Sequence, residues 1–150
     1  MRCLSDITVA PLRADLYMEA SVTEKEALGA EGWSESSISD TVHAGGTYLA
    51  AFSGGTYIGH AGMTAAADEG YITNIAVKPE FRRKGAATAL IEALLRYSAG
   101  RKLSFLSLEV RESNMAAIAL YEKCGFKRVG VRPEFYRDPC ENAIIMTYYF

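Results

Sequence analysis

The sequence predicts an α+β fold, a mixed and mostly antiparallel sheet flanked by helices, in a single domain spanning residues 1–150. Three observations carry this expectation. Two strand-like runs, TYLAAFS and TYIGHAGMTA, meet at Gly54-Gly55, the pairing expected of a tight hairpin turn. The stretch GAATALIEALLRYSA is apolar at Ala86, Leu90, Ala93, Leu94 and Tyr97, which is helix spacing. The order strand, helices, three-strand meander, helix, strand, helix and two strands completes the pattern.

Taken in order, CLSDITVA reads as a first strand. ADLYMEASVTEKEAL has the spacing of an amphipathic helix, with Asp15 as its cap and Leu16, Ala20, Val22/Thr23, Ala27 and Leu28 as its buried stripe. Gly29 and Gly32 end it, and SESSISDTVHA begins a weaker helix at Ser34. After the hairpin, Asp68-Glu69-Gly70 turns the chain into YITNIAV, completing a three-strand meander that Pro79 stops. The helix after KPEFRRK is apolar nearly all round and should be deeply packed. LSFLSLEV alternates, Leu106, Leu108 and Val110 against Phe105, Ser107 and Glu109. Asn114 to Cys124 reads as a helix stopped by Gly125, and FKRVGVRPEFY with NAIIMTYYF as a final strand pair. Tyr148, Tyr149 and Phe150 read as strand packing.

Composition excludes several classes. At 150 residues the chain can bury a substantial core, and no run approaches eighteen uncharged apolar residues, so neither disorder nor a membrane span is expected. The N-terminus lacks a hydrophobic signal core, which points to the cytoplasm. Cys3, Cys124 and Cys140 have neither CxxC spacing nor histidine partners, so they read as reduced thiols, Cys124 in a core, and no metal is expected. The net charge of −2 conceals an asymmetry: residues 1–77 balance at −7 and residues 78–150 at +5. A basic half suits a polyanionic ligand and an acidic half a cationic partner, although two solvated surfaces would look the same. No basic run is interleaved with aromatics, so direct nucleic-acid binding is not expected.

The loop before the buried helix is the first candidate site. NIAVKPEFRRKGAA carries Arg82, Arg83 and Lys84 ahead of Gly85, Ala86 and Ala87, where a helix begins. Unpaired N–H groups and the positive end of the helix dipole make such a start a phosphate site, and small residues let an anion approach. The loop is neither a Walker loop nor a GxGxxG fingerprint, and alone it reads first as a structural turn. The second candidate is FLSLEVRESNMAAIALYEKCGF, in which Glu109 near a strand end precedes a helix bearing Tyr121. Singly, Glu109 reads as an edge-strand residue, Tyr121 as packing, and Asn114 or Ser113 as a helix cap.

Together, these stretches resemble the GNAT N-acetyltransferase family. RRKGAA at 82–87 is similar to its Q/R-x-x-G-x-G/A signature, and NMAAIALYEKCGF to its N-x-x-A-x-x-L-Y-x-x-x-G-F element. The likeness covers roughly residues 45–150 and implies acetyl-CoA as donor. It implies that the backbone of Ile75, Ala76 and Val77 pairs with the pantetheine arm, and that Asn114 meets the cofactor. The pyrophosphate would rest on the amides of Arg83, Lys84, Gly85, Ala86, Ala87 and Thr88, with Arg82 nearby. Within the family the chain is most similar to the branch that acetylates the N-terminal alanine of a small-subunit ribosomal protein. TNIAV, SLEVRESNMAAIALYEKCGF, Tyr136 before Asp-Pro, and ENAIIMTYYF carry that likeness. Trp33-Ser34-Glu35 matches a PWSE-like element, with Gly32 in place of proline and Ile38 near a position often aromatic; the first thirty residues match poorly.

The resemblance implies that Glu109 is the general base and Tyr121 the general acid. An N-terminal amine, with pKa about 7.7–8.0, must lose a proton to attack, and a carboxylate in a partly dry cleft is raised toward working pH. The departing thiolate needs a proton in turn. Asn114 and Tyr121 are two helical turns apart and can share a face, and a backbone N–H near Val77 suits the oxyanion. Tyr136 is a candidate for enclosing the acceptor amine, Trp33 for packing, and His43 and His60 for structural roles. A protein N-terminus is the expected partner. The alternatives are acetylation of a small amine or an internal lysine, and acetyl-CoA binding without turnover.

Overall fold

The structure, a computed structural model, describes residues 6–150. Its strands are β1 (Ile7–Pro11), β2 (Thr47–Ser53), β3 (Thr56–Ala66), β4 (Glu69–Val77), β5 (Phe105–Arg111), β6 (Lys127–Tyr136) and β7 (Glu141–Tyr149). They form one sheet in the order β1-β2-β3-β4-β5-β7-β6. The helices are α1 (Tyr17–Leu28), α2 (Glu35–His43), α3 (Ala86–Gly100) and α4 (Met115–Lys123). The β1–β2, β2–β3, β5–β7 and β6–β7 pairs are antiparallel and β4–β5 is parallel, so the expected mixed α+β class is what the structure shows. No helix among the described residues is long and apolar enough to cross a membrane.

The chain divides into two compact units, the first built from the chain up to Thr64 together with Ile72–Arg96. The β2–β3 hairpin turns where the sequence placed it, with Gly54 and Gly55 at φ 56° and 84°; two successive positive φ values select glycine and match the twist of the strands. A cluster of Leu12, Tyr17, Ala20, Ile38, Tyr48, Ala50 and Tyr57 forms the core beneath it, with Trp33 packed against the cluster. Ser34 caps α2, its hydroxyl accepting from the Ser37 amide at 3.1 Å. In α3, Leu90, Ile91 and Leu94 are fully buried.

Helix α1 departs from its expected form in two ways. Asp15 does not cap it: the carboxylate pairs with Arg13 Nε at 3.1 Å in a short 3-10 turn, Ala14–Leu16, and α1 starts at Tyr17 without a side-chain cap. The buried face is Tyr17, Ala20, Ser21, Thr23 and Glu24, whereas Val22 and Leu28 are exposed. Spacing misplaced the face because two of its buried polar side chains, Ser21 and Glu24, have partners distant in sequence, a satisfaction that hydropathy does not register.

The second unit comprises Ala65–Tyr71 and Tyr97–Phe150. Leu106, Leu108 and Val110 of β5 are buried as expected, but so is Ser107 of the other face, its hydroxyl bonded to β7, and Ile118, Phe126, Ala143, Ile144 and Met146 complete this core. Strand β6 lies at the sheet edge and exposes Val129, Val131 and Phe135 among Lys127, Arg128 and Arg132; its pairing with β7 slips twice, between Arg128 and Gly130 and between Arg132 and Tyr136. Three expectations need correction. Cys124 is only half-buried at the end of α4, not in the core. Tyr149 and Phe150 are exposed, their rings touching Phe105 and Tyr148 at 6.4 and 5.0 Å. The first strand begins at Ile7; Cys3 and the start of CLSDITVA lie outside the described residues.

Candidate active site

In the first unit, the end of β4 and the start of α3 form the donor-side candidate. Ile75, Ala76 and Val77 are the last three residues of β4. Beyond the Pro79–Phe81 turn, Arg82 folds back and its Nε donates to the Val77 carbonyl at 3.2 Å. Lys84 Nζ lies 5.9 Å from the centre of the Phe81 ring. Arg83 and Gly85 have φ of 60° and 94°, and the Ala89 amide donates to the Gly85 carbonyl at 3.0 Å. The amides of Ala86, Ala87 and Thr88 precede that bond, and a helix start leaves such groups without an intrahelical partner.

These residues fit a pyrophosphate. Amides at a helix start favour an anion, three cationic side chains adjoin them, and a Cβ added at Gly85 would meet nothing within 4 Å, so the backbone there is approachable. Gly85→Ala leaves the space open but places a side chain at a positive φ, costing about 1–2 kcal/mol or a changed loop. We expect calorimetry to show CoA binding about tenfold weaker in this variant, a difference of about 1.4 kcal/mol. Unchanged affinity would remove the loop as the phosphate site.

In the second unit, β5 carries Glu109 and α4 carries Tyr121. Glu109 is 28% exposed, and Arg132 Nε lies 3.3 Å from its Oε1. That is a wetter and more tightly ion-paired setting than the partly dry cleft expected from sequence. Strand register explains the pair: Ile145 of β7 faces Glu109 on β5 and Gly130 on β6, and Arg132, two residues from a glycine that offers no side chain, shares that face. Tyr121 is partly buried beside Phe126, ring centroids 5.9 Å apart. Burial pushes its phenol well above the ordinary range, with smaller contributions from Tyr136 and Cys124. No hydrogen bond from its hydroxyl is present among the described residues. Asn114 caps α4 by accepting from the Ala117 amide at 3.2 Å through Oδ1, which leaves its Nδ2 to donate elsewhere.

Around Tyr136, Arg111 is an anchor. Its guanidinium lies 4.4 Å from the centre of the Tyr136 ring and donates to the carbonyls of Pro139 and Arg137, each at 3.0 Å, and to Glu141 at 3.1 Å. Glu141 also accepts from the Ser113 amide at 2.7 Å; that bond first, and Arg111 next, hold its carboxyl below the usual carboxylate range. The β6–β7 turn is thereby fixed to β5, and Glu134, Tyr136, Arg137, Asp138, Pro139 and Cys140 line an open depression.

Sequence reasoning missed Arg132 and Arg111, whose partners are set by strand register. It also missed a buried cluster on Glu24. Oε2 of this fully buried carboxylate meets His60 Nε2 and Asn74 Nδ2, both at 2.6 Å, and Oε1 accepts from the Trp33 amide at 3.1 Å. His60 Nδ1 lies 2.6 Å from the Tyr57 hydroxyl, so His60 is a core residue as expected, with partners the sequence did not reveal. Gly32, where the family pattern has proline, allows this: a Cβ there would sit 2.7 Å from the Glu24 backbone.

Comparisons with known proteins bear on the family and the fold. Residues 12–126 match the model of the Acetyltransferase (GNAT) family. The [ribosomal protein bS18]-alanine N-acetyltransferase of Escherichia coli (strain K12) is 46% identical over 82 residues, 53% of this chain and 55% of that protein. An N-alpha-acetyltransferase of Saccharolobus solfataricus is 46% identical over 84 residues, 53% of this chain and 47% of its own. The chain thus spans about half the length of the curated relatives it matches. A crystal structure of the ribosomal-protein-S18-alanine N-acetyltransferase from Escherichia coli superposes with a TM-score of 0.87 at 34% identity, covering 95% of this chain and 93% of that one. That family model covers most of the chain, and the chain belongs to the GNAT acetyltransferase family.

Proposed function

We propose that this protein moves the acetyl group of acetyl-CoA to the α-amine of a protein N-terminus, with the N-terminal alanine of a small-subunit ribosomal protein as the favoured acceptor. The observation that carries the reading is Tyr121, a phenol pushed upward by burial and without a hydrogen bond from its hydroxyl among the described residues, on the helix that follows the Glu109 strand. A raised phenol stays protonated at every ordinary pH and is available as a donor. The names of the relatives above support the choice of acceptor.

In this reading the amides at the start of α3, with Arg82, Arg83 and Lys84, hold the donor's pyrophosphate, and Ile75–Val77 and Asn114 hold its arm. Glu109 takes a proton from the amine as the C–N bond forms, and a backbone N–H near Val77 stabilises the oxyanion. As the C–S bond breaks, Tyr121 donates to the sulfur. An ordinary thiol has pKa about 8.5, so a phenol raised above its own normal value is the weaker acid, and its stabilisation comes mainly through the hydrogen bond. Arg132 competes with the incoming ammonium for Glu109 and must yield as the acceptor arrives. General acid–base help supplies about 10²–10⁴-fold, and positioning with oxyanion contacts supplies the remainder.

The test is mass spectrometry of peptides incubated with the purified protein and acetyl-CoA. The panel begins with Ala, Ser, Met and Gly, and includes an N-blocked peptide with an internal lysine. Acetylation confined to the free Ala-leading terminus is the expected result. Modification of lysine alone, or no peptide product despite CoA binding, would replace this reading with a small-amine acceptor or a binding module.

A further inference from the structure

The Glu24 cluster has no part in the chemistry above, yet it is the most elaborate polar arrangement in the first unit. The fully buried carboxylate gathers donors from three places: the Trp33 amide after α1, His60 on β3 and Asn74 on β4. Asn74 is saturated at its other end, where Oδ1 accepts from the Tyr48 hydroxyl at 3.0 Å and the Thr73 hydroxyl at 2.7 Å. Its side chain therefore has one orientation that satisfies every partner, with Nδ2 on Glu24. The hydrogen-bond pattern closes when His60 donates from Nε2 to Glu24 and the Tyr57 hydroxyl donates to Nδ1. Trp33 is clamped at both backbone groups by α1, its amide by Glu24 and its carbonyl by the Ser21 hydroxyl at 3.0 Å.

Asn74 is the residue immediately before Ile75, so whatever fixes Asn74 fixes the entry of β4 into the donor-binding backbone. We infer that Glu24 is a positioning residue for acetyl-CoA: through Asn74 it sets the placement of Ile75–Val77, and through Trp33 it locks α1 to the same arrangement. The inference rests on the donor role proposed for Ile75–Val77. A fully satisfied buried network of this kind specifies one geometry, and removing one member leaves a costly orphan. In Glu24→Gln only one acceptor oxygen remains for the Trp33, His60 and Asn74 donors, so at least one of them loses its partner.

The experiment measures CoA binding by calorimetry in wild type, Glu24→Gln, Asn74→Ala, the double variant and Ser21→Ala, with Trp33 emission and the melting temperature alongside. Trp33 is the single tryptophan of the chain, so its emission reports the clamp directly. We expect about tenfold weaker CoA binding in each of Glu24→Gln and Asn74→Ala, and no further loss in the double variant, the signature of one coupled unit. Ser21→Ala releases Trp33 from α1 without touching Asn74, so its emission shifts while CoA binding stays at the wild-type level. Should Glu24→Gln fail to fold, Asn74→Ala against Ser21→Ala still decides the matter. CoA affinity that falls in step with melting temperature in all variants, Ser21→Ala included, would reduce the cluster to a purely structural role and overturn the inference. Absence of CoA binding in the wild type would instead overturn the proposed function, and this inference with it.

Discussion

Glu109→Gln is expected to lower kcat on an Ala-leading peptide by about 10²–10³-fold, within the range for loss of a general base. The affinity for CoA should be unchanged, because Glu109 lies on β5 and the phosphate-side residues lie on the loop into α3. The pH profile separates this from simple damage. Without a base, the residual rate should follow the fraction of neutral amine, rising about tenfold per pH unit below the amine pKa of about 7.7–8.0. Tyr121→Phe gives the companion result. Burial raises the phenol, so its protonated form persists to higher pH than an ordinary tyrosine, and wild-type activity should show no fall from Tyr121 titration up to about pH 10. The variant should fold normally, since the lost hydroxyl makes no hydrogen bond among the described residues, yet turn over more slowly. Turnover that survives both substitutions together would remove the mechanism and leave family membership untouched.

Gly59→Ala should be as damaging by a different route. A Cβ at Gly59 would sit 2.7 Å from the Ala76 carbonyl oxygen, 3.0 Å from Val77 Cα and 3.3 Å from Val77 Cγ2. The two closest atoms are backbone, so β3 and the end of β4 must separate. Overpacking of this kind costs about 1–3 kcal/mol. For a chain of this length that lowers the melting temperature by roughly 2–4 °C per kcal/mol. The displaced residues are those proposed to hold the donor, so weaker CoA binding should accompany the thermal shift in calorimetry. Stability loss with unaltered CoA affinity would argue that Ile75–Val77 do not carry the donor.

These expectations draw on parts of the molecule that were unequally visible in the sequence. The Gly54-Gly55 hairpin, the start of α2 at Ser34 and the buried Leu106, Leu108 and Val110 of β5 were legible because each depends on a few neighbouring residues. The basic turn into α3 and the Asn114–Tyr121 spacing were legible for the same reason. Helix α1 was not. Its buried face contains Ser21, Thr23 and Glu24, and Ser21 and Glu24 find partners up to fifty residues away, so apolar spacing favoured Val22 and Leu28 instead. Asp15 looked like a cap because capping residues are short and polar, but Arg13 offered a nearer partner. The Arg132–Glu109 pair and the Arg111 anchor follow from which residues β7 brings opposite one another, and that register is set only when the sheet assembles.

The exposed edge formed by β6 has a consequence for how the protein behaves in bulk solution. A strand with Val129, Val131 and Phe135 facing water is a template for pairing with other chains. Two slips in its register interrupt the straight ladder that such pairing needs, and Lys127, with Arg128 and Arg132 partly offset by Glu122 and Glu109, makes approaching copies of the same edge repel. The slips are permanent, but the repulsion is not, since its range shrinks from about 10 Å at 0.1 M salt to about 3 Å at 1 M. Colloidal stability of this protein is therefore tied to ionic strength, and concentrated stocks will keep best in dilute buffer.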